Sequence, residues 1–542
     1  MLLKIVLTFA ADFTKHCLKD MKSKTLLTSL LLAATGSTAW AGGILTNTNQ
    51  SIDFLRNPAR DAAIGLDGVY TNPAGVAFLS EGFHLGLNWQ YAHQTRTITS
   101  TNPVFALGAK NHDLTTKTFE GVADAPIIPS IQAAWNKGNY SFQFNFSVPG
   151  GGGKCEFNDG LGSFESVVGS IAQQLAPLGA ERYDMDGYMQ GRQYYYGFQL
   201  GTAYKVNDNF SIYGGLRLLY GDATYKAKIS NILVKKAGNG YVDFGTFLSE
   251  ATATVDGGLQ QVGAGLQQVS AGLQQVNAGI AQYEAAGATA PAELLAQRTQ
   301  LEATQQQLTA QQAQLQGTRA SMDQLQKYSH GVNLLCNQTS LGIAPVVGLD
   351  YRLGRWNFAA KYEFRTQMRM KNESTVNEAS EIPAVNKFRD GESVNEDQPA
   401  LLTLGVQWNP IDPIRLNLGW HHFFDKDADW YNGTQKLLDH NINEFLAGAE
   451  WDINDRLTVS VGGQLTRYGL NDSYMNDMSF VVDSYSVGFG MNYKLSDVVA
   501  LKAAYFSTSY ENYERKDYPM AGVSDTFTRS NRVLGIGCDI TL

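Results

Sequence analysis

An all-β fold, a fourteen-stranded antiparallel transmembrane β-barrel with an N-terminal plug and an extracellular helical hairpin, is what this sequence predicts. Three observations carry the prediction: short segments alternate apolar and polar residues, the connections between them alternate between short and long, and the N-terminus reads as a secretory leader. Period-two alternation puts successive side chains on opposite faces of a strand. Short turns on one side and long loops on the other are the asymmetry of an outer-membrane barrel. Lipid cannot satisfy backbone polar groups, so such strands must close on one another. A soluble β-sandwich is the competing reading, and the leader and the turn asymmetry weigh against it.

Composition narrows the class further. Charged residues make up 17% of the 542, aromatics 11%, and the mean hydropathy is -0.22. After the N-terminus no apolar stretch reaches the roughly 18 residues a membrane helix needs. A formal net charge of -9 gives no basic face for nucleic acid, so none is expected as a partner.

From Met21 the chain reads MKSKTLLTSLLLAATGSTAWA, with Lys22 and Lys24, an apolar run from Leu26 to Ala34, and Ala39-Trp40-Ala41 in the small-x-small form of a cleavage site. Residues 1–41 are therefore an upstream extension plus signal peptide, with cleavage expected after Ala41. Residues 42–80 are too rich in small residues for a strand and are assigned to a plug, and residues 81–542 to the barrel.

The third segment shows the alternation most plainly. Tyr140, Phe142, Phe144, Phe146 and Val148 share one face, Ser141, Gln143, Asn145 and Ser147 the other. Comparable segments start near Phe83, Ile128, Gln193, Phe210, Gly342, Trp356, Ala400, Ile414, Asn443, Leu457, Ser484, Val498 and Thr528, fourteen in all. An even count returns both ends of the barrel to the periplasm. Short turns fall at 136–139, 206–209, 353–355, 409–413, 454–456 and 495–497. Arg217, Lys361, Glu363, Arg365, Arg369, Arg415, Glu450 and Lys502 are phased toward the lumen. Mixed charge there reads as a structural ionic network, or, at Lys361 or Arg365, as a contact for an anionic head group.

Within the plug, Arg56-Asn57-Pro58-Ala59 and Asn72-Pro73-Ala74-Gly75 are turn signals, because Pro fixes its own φ and keeps the preceding Asn extended. VYTNPAGVAFL, Val69 to Leu79, lies just before the first strand. In that position, ahead of fourteen strands, it resembles the FadL/TodX family of outer-membrane transporters for long-chain fatty acids and other hydrophobic compounds. The resemblance implies a hatch inside the barrel, a ligand pocket beside it, passive transport without an enzymatic step or cofactor, and a kinked third strand that opens the wall laterally. Asn72, Pro73 and Ala74, with Gly75, match the hatch motif and are the expected gate.

After the third segment, Leu161, Phe164, Val167, Val168, Ile171, Leu175 and Leu178 form an amphipathic helical pattern. It packs onto the rim, or Phe164, Val168 and Ile171 border an external hydrophobic entry groove. After the fifth strand, residues 250–328 hold a heptad insertion: Leu259, Leu266, Leu273 and Ile280 recur at seven with Val262, Val269, Val276 and Tyr283 between them. Beyond a Gly-Ala-Pro turn, Leu294, Leu301, Leu308, Leu315 and Met322 repeat the spacing. The pattern predicts an antiparallel, coiled-coil-like hairpin reaching outward by about 40 Å at 1.5 Å per residue. It is a spacer or an arm for a surface protein partner, and adhesin or assembly scaffold is the rival function.

Past the leader three cysteines remain. Cys155 and Cys336 fall in expected external loops and could pair; Cys538 lies on an apolar strand face. Gly153-Lys154 lacks the Ser or Thr of a P-loop, and Asp425, Asp427 and Asp429 are followed by Trp430 where a calcium loop needs Gly. Adjacent His421 and His422 point to opposite strand faces and cannot share a metal. The reading is a hatch-gated barrel of the bacterial outer membrane that takes hydrophobic molecules such as long-chain fatty acids, in contact with outer-membrane lipid and lipopolysaccharide.

Overall fold

The computed structural model describes residues 44–376 and 383–542. The leader and its cleavage site lie outside the described residues. Fourteen strands close a barrel: β1 Gly82–Thr101, β2 Thr116–Lys137, β3 Tyr140–Phe157, β4 Ala180–Lys205, β5 Phe210–Lys236, β6 Val332–Leu353, β7 Trp356–Glu363 continued by Arg369–Val376, β8 Ser393–Asn395 continued by Leu401–Ile411, β9 Ile414–Phe423, β10 Ile442–Asp452, β11 Leu457–Arg467, β12 Ser484–Lys494, β13 Val499–Tyr510 and β14 Ser524–Thr541. Closure is antiparallel between β1 and β14, from His84 against Thr541 to Thr101 against Ser524.

Alternation decides which side chains face lipid. Phe142, Phe198, Leu200, Leu216, Leu418, Phe445, Phe489 and Ile536 are exposed on the outer wall, while Ser141, Gln143, Asn145 and Gln199 are buried inside. Near the short turns Trp356 stacks on Trp408 with ring centroids 5.3 Å apart, part of an interfacial aromatic girdle. No helix among the described residues is long and apolar enough to cross a membrane. The crossing is made by strands.

Several strands begin well before the expected positions: β2 at Thr116, β4 at Ala180 and β6 at Val332. They continue past the lipid belt, where side chains need not alternate apolar and polar. Gly150 to Gly153 and Cys155 accordingly belong to β3, and Cys336 to β6, rather than to loops. The possible disulfide between them is not formed; both cysteines are free. Register explains why: Cys155 pairs with Gly191, Gly191 with Tyr225, and Tyr225 with Cys336. Three strand spacings, about 14 Å, separate the thiols, against the 4–7 Å between Cα atoms that a disulfide tolerates.

The lumen phase of β7 also departs from expectation. Lys361 and Glu363 face inward, but the strand is interrupted after Glu363, and from there Thr366, Met368 and Met370 are the buried set. One irregularity reverses the face of every following residue. Arg365 and Arg369 therefore lie on the exposed side.

The insertion forms two helices, Phe244–Ala285 and Ala292–Gln326. At 42 residues the first is about 63 Å long, more than expected because it starts at Phe244, ahead of the first heptad at Gly258. Its seam is built from valines and glycines; Leu259 and Leu266, read as seam positions, flank it half-buried. A Cβ on Gly258, Gly265, Gly272 or Gly279 would lie 3.3–3.5 Å from Leu315, Leu308, Leu301 or Leu294. Glycine every seventh residue thus opens the space that a leucine of the second helix fills.

Candidate functional site

The plug fills the periplasmic half of the lumen and is fixed there by its two Asn-Pro-Ala turns. One turn is pressed on small residues of β10 and β11: Asn57 sits where a Cβ on Gly448 would be, and Pro58 against Gly462. The other faces the opposite wall. Asn72 donates its amide to Asp350 of β6 at 2.6 Å, and its Oδ1 accepts the Gly75 N–H at 3.2 Å. Gln143 of β3 donates to the Pro73 carbonyl at 2.7 Å, and Ser211 of β5 to that of Ala74 at 2.7 Å. Asn357 of β7 donates to Ala62 O and to Asp350 at 2.7 and 2.8 Å. Three strands thus hold the Asn72–Gly75 turn directly, and β7 braces it through Asp350.

Ion pairs complete the attachment. Arg56 and Arg60 of the plug both reach Glu450 at 2.9 Å, and Arg415 joins the same carboxylate at 3.0 Å. Asp53 pairs with Lys502, and His421 lies between Asp61 of the plug and Glu444 at 2.9 and 2.8 Å. Lys361 donates to Tyr70 O at 2.8 Å and to Glu363 at 2.7 Å, so it belongs to this network and not to a pocket. Arg365 is 40% exposed and donates to Asp427 O among the external loops at 2.9 Å. Neither cation is brought to Phe164, Val168 or Ile171.

Those three residues lie together. They belong to the helix Gly162–Gln174, α1, and line an external cavity of about 190 Å³ with Ile232 and Val234 of β5, Val332 and Leu334 of β6, Phe388 and Met478. No charged side chain is in the lining among the described residues. The helix is capped from afar: no side chain of its own caps it, and Asp477 accepts the Ser163 N–H at 2.7 Å. Burial, with Asp525 nearby, pushes the Asp477 carboxyl up to about 6. Phe388 and Met478 also line a smaller inner cavity with Arg96, Cys155, Phe157 and Tyr225. Arg96 and Arg529 are direct register partners on β1 and β14, both buried.

The inner cavity borders an interruption in the wall. β2 and β3 pair from Lys137 and Tyr140 to Ile131 and Phe146, and again at Val122 and Glu156, but not between. Pro126 and Pro129 remove two donors from β2 there, and Pro149 one from β3. Gly151 and Gly153, at φ of 95° and 70°, let β3 bend inward. Gly150 has no room for a Cβ, which would lie 2.0 Å from Gln398 and 2.5 Å from Leu45 O. The plug takes up the freed groups of β3: Asn47 N–H donates to Pro149 O at 2.9 Å, Asn47 Nδ2 to Gly151 O at 3.1 Å, and the Gln50 amide both donates to Val148 O and accepts its N–H. The two prolines of β2, with Pro149 and the four glycines of β3, were the sequence signal for this gap.

No family model and no curated protein matches the chain. Among solved structures, a Pseudomonas aeruginosa FadL homologue is similar at a TM-score of 0.56 and 12% identity, covering 94% of this chain and 100% of its own. A TodX monoaromatic hydrocarbon channel, in a deltaS2S3 mutant form, is similar at 0.51 and 11%, covering 91% and 99%. With its closed fourteen-stranded wall and lipid-facing apolar belt, the chain is a bacterial outer-membrane β-barrel with the FadL/TodX fold.

Proposed function

We propose that this barrel carries hydrophobic compounds passively across the outer membrane, with long-chain fatty acids as the substrate. The observation that carries the reading is an apolar route: an uncharged external cavity adjoins an inner cavity through Phe388 and Met478, and the inner one meets the unpaired stretch of β2 and β3. A chain leaving water gains about 0.8 kcal/mol per CH₂, enough to draw an acyl tail from cavity to cavity. Phe164, Val168 and Ile171 would receive it, and the Asn72–Gly75 turn would gate the periplasmic end. Arg96, in the inner cavity, and Arg529 opposite it favour a carboxylate head over a neutral hydrocarbon.

The test is binding by the mature protein in nanodiscs, with lauric acid, a soluble shorter homologue of the long-chain acids, and toluene as probes and an unrelated barrel as control. Val168→Asp with Ile171→Asp should weaken both probes at least tenfold without loss of the folded, heat-modifiable band. Arg96→Gln should weaken lauric acid only. Equal binding by wild type and the double aspartate variant would sink the cavity's role, and a wild type preferring toluene would replace the fatty acid by a neutral hydrocarbon.

A further inference from the structure

The inserted hairpin does not stand clear of the external cavity. Phe244, its first residue, is 2% exposed and lines the cavity wall, as do Leu325 at the end of the second helix and Tyr328 just beyond it. Asp243 fixes the start of the first helix by accepting the Gly245 and Thr246 N–H groups at 2.9 and 3.2 Å. Phe247 and Leu248 then anchor that turn in the same apolar cluster as Val168, Tyr183 and Val234. From Gly258 outward the two helices pack on each other through the glycine and leucine seam. The insertion thus has two parts, a base built into the rim and a self-packed arm.

We infer that the base of the hairpin is a wall of the capture cavity, where Phe244, Leu325 and Tyr328 set the size of the uncharged apolar group admitted, and that the arm beyond Gly258 is dispensable for capture. The inference rests on the reading of this cavity as a ligand site. The lining has one class of chemistry to offer: aliphatic and aromatic surface, with Ser163, Ser170, Gln174 and two tyrosines as its polar members. Such a surface takes an acyl tail or a hydrocarbon and leaves any charged head outside it. Tyr328 reaches the cavity just before the chain re-enters β6 at Val332, so its position is tied to the barrel and not to the arm.

Two kinds of variant separate base from arm. Deleting residues 265–278 and 295–308 removes two heptads from each helix and keeps the Gly258–Leu315 and Gly279–Leu294 pairs in register. Lauric acid and toluene binding in nanodiscs should stay within twofold of wild type. Phe244→Ala should weaken lauric acid about tenfold. Tyr328→Trp, which fills space and leaves the rim packed, should discriminate by size: lauric acid weakened more than toluene, a change in selectivity that loosened structure would not give. Loss of binding on arm shortening, or an unchanged ratio of the two probes in Tyr328→Trp, would overturn the inference. Wild-type barrels that bind neither probe would instead overturn the ligand reading beneath it.

Discussion

Asn72→Ala tests whether the plug turn is a latch. The substitution removes the amide donated to Asp350 at 2.6 Å and the acceptor of the Gly75 N–H at 3.2 Å. A hydrogen bond to a charged group contributes about 1.5–3 kcal/mol and a neutral one about 0.5–1.5. Asp350 keeps Asn357 as a donor, so its carboxylate is not left bare. The local opening equilibrium should therefore shift by about 2–4.5 kcal/mol, roughly 30- to 1,600-fold at 1.4 kcal/mol per tenfold. Hydrogen exchange followed by mass spectrometry, in nanodiscs, reads this directly on a peptide spanning residues 70–79. Exchange there should accelerate by that factor, with the barrel strands unchanged and the protein still heat-modifiable. Asn72→Asp sharpens the test, since it keeps the Gly75 acceptor but sets a second carboxylate against Asp350. It should open the turn at least as far. Unchanged exchange in Asn72→Ala would refute the reasoning, because Gln143 and Ser211 would then be holding the turn without it.

Further expectations follow from other contacts. Glu450→Gln leaves Arg56, Arg60 and Arg415 converging on a neutral group and should cost about 3–5 kcal/mol of plug attachment, seen as a lower unfolding temperature in detergent. Gly150→Val drives a side chain into Gln398 and Leu45 and should displace the N-terminal plug segment, detected as new protease sensitivity near residues 44–50. Asp425, a buried loop carboxyl that burial pushes up to about 8, binds a proton more tightly folded than unfolded, where about 4 is ordinary. Its contribution is favourable at low pH and is lost as pH rises from about 4 toward 8, so Asp425→Asn should flatten the pH dependence of thermal stability in that window and stabilise the protein at pH 8. Leu308→Ala empties the space over Gly265 and should cost about 2–3 kcal/mol, read as faster amide exchange confined to the hairpin.

What was legible in the sequence follows from which forces act locally. The strands were visible because lipid and lumen sort side chains at every second residue, and the hairpin because glycine, leucine and valine recur at seven. Strand ends above the membrane were not, since solvent on the outside imposes no alternation there. Nor was the parity change in β7: the break at 364–368 is a matter of hydrogen bonding to β6 and β8, and no side chain in the sequence announces it. It moved Arg365 and Arg369 from the lumen to the outside. Cys155 and Cys336 were placed in loops for the same reason as the strand ends, and only the register reveals how far apart they stand. That Phe164, Val168 and Ile171 share one face was legible because a helix of its own periodicity carries them. The Phe244 and Tyr328 wall was not, since it depends on where a distant insertion lands.

The gap between β2 and β3 has a consequence for how any motion of the plug must proceed. Val148, Pro149 and Gly151 of β3 are hydrogen-bonded to Asn47 and Gln50, so the plug serves this stretch as a surrogate neighbouring strand. Withdrawing it would bare those backbone groups beside hydrocarbon, where each unmet one costs several kcal/mol. Either water follows the plug out or β3 straightens to meet β2, and the prolines at 126 and 129 limit how far that meeting can go. In the proposed transport cycle the plug and the gap between β2 and β3 therefore share one set of hinges: neither moves without re-settling the other.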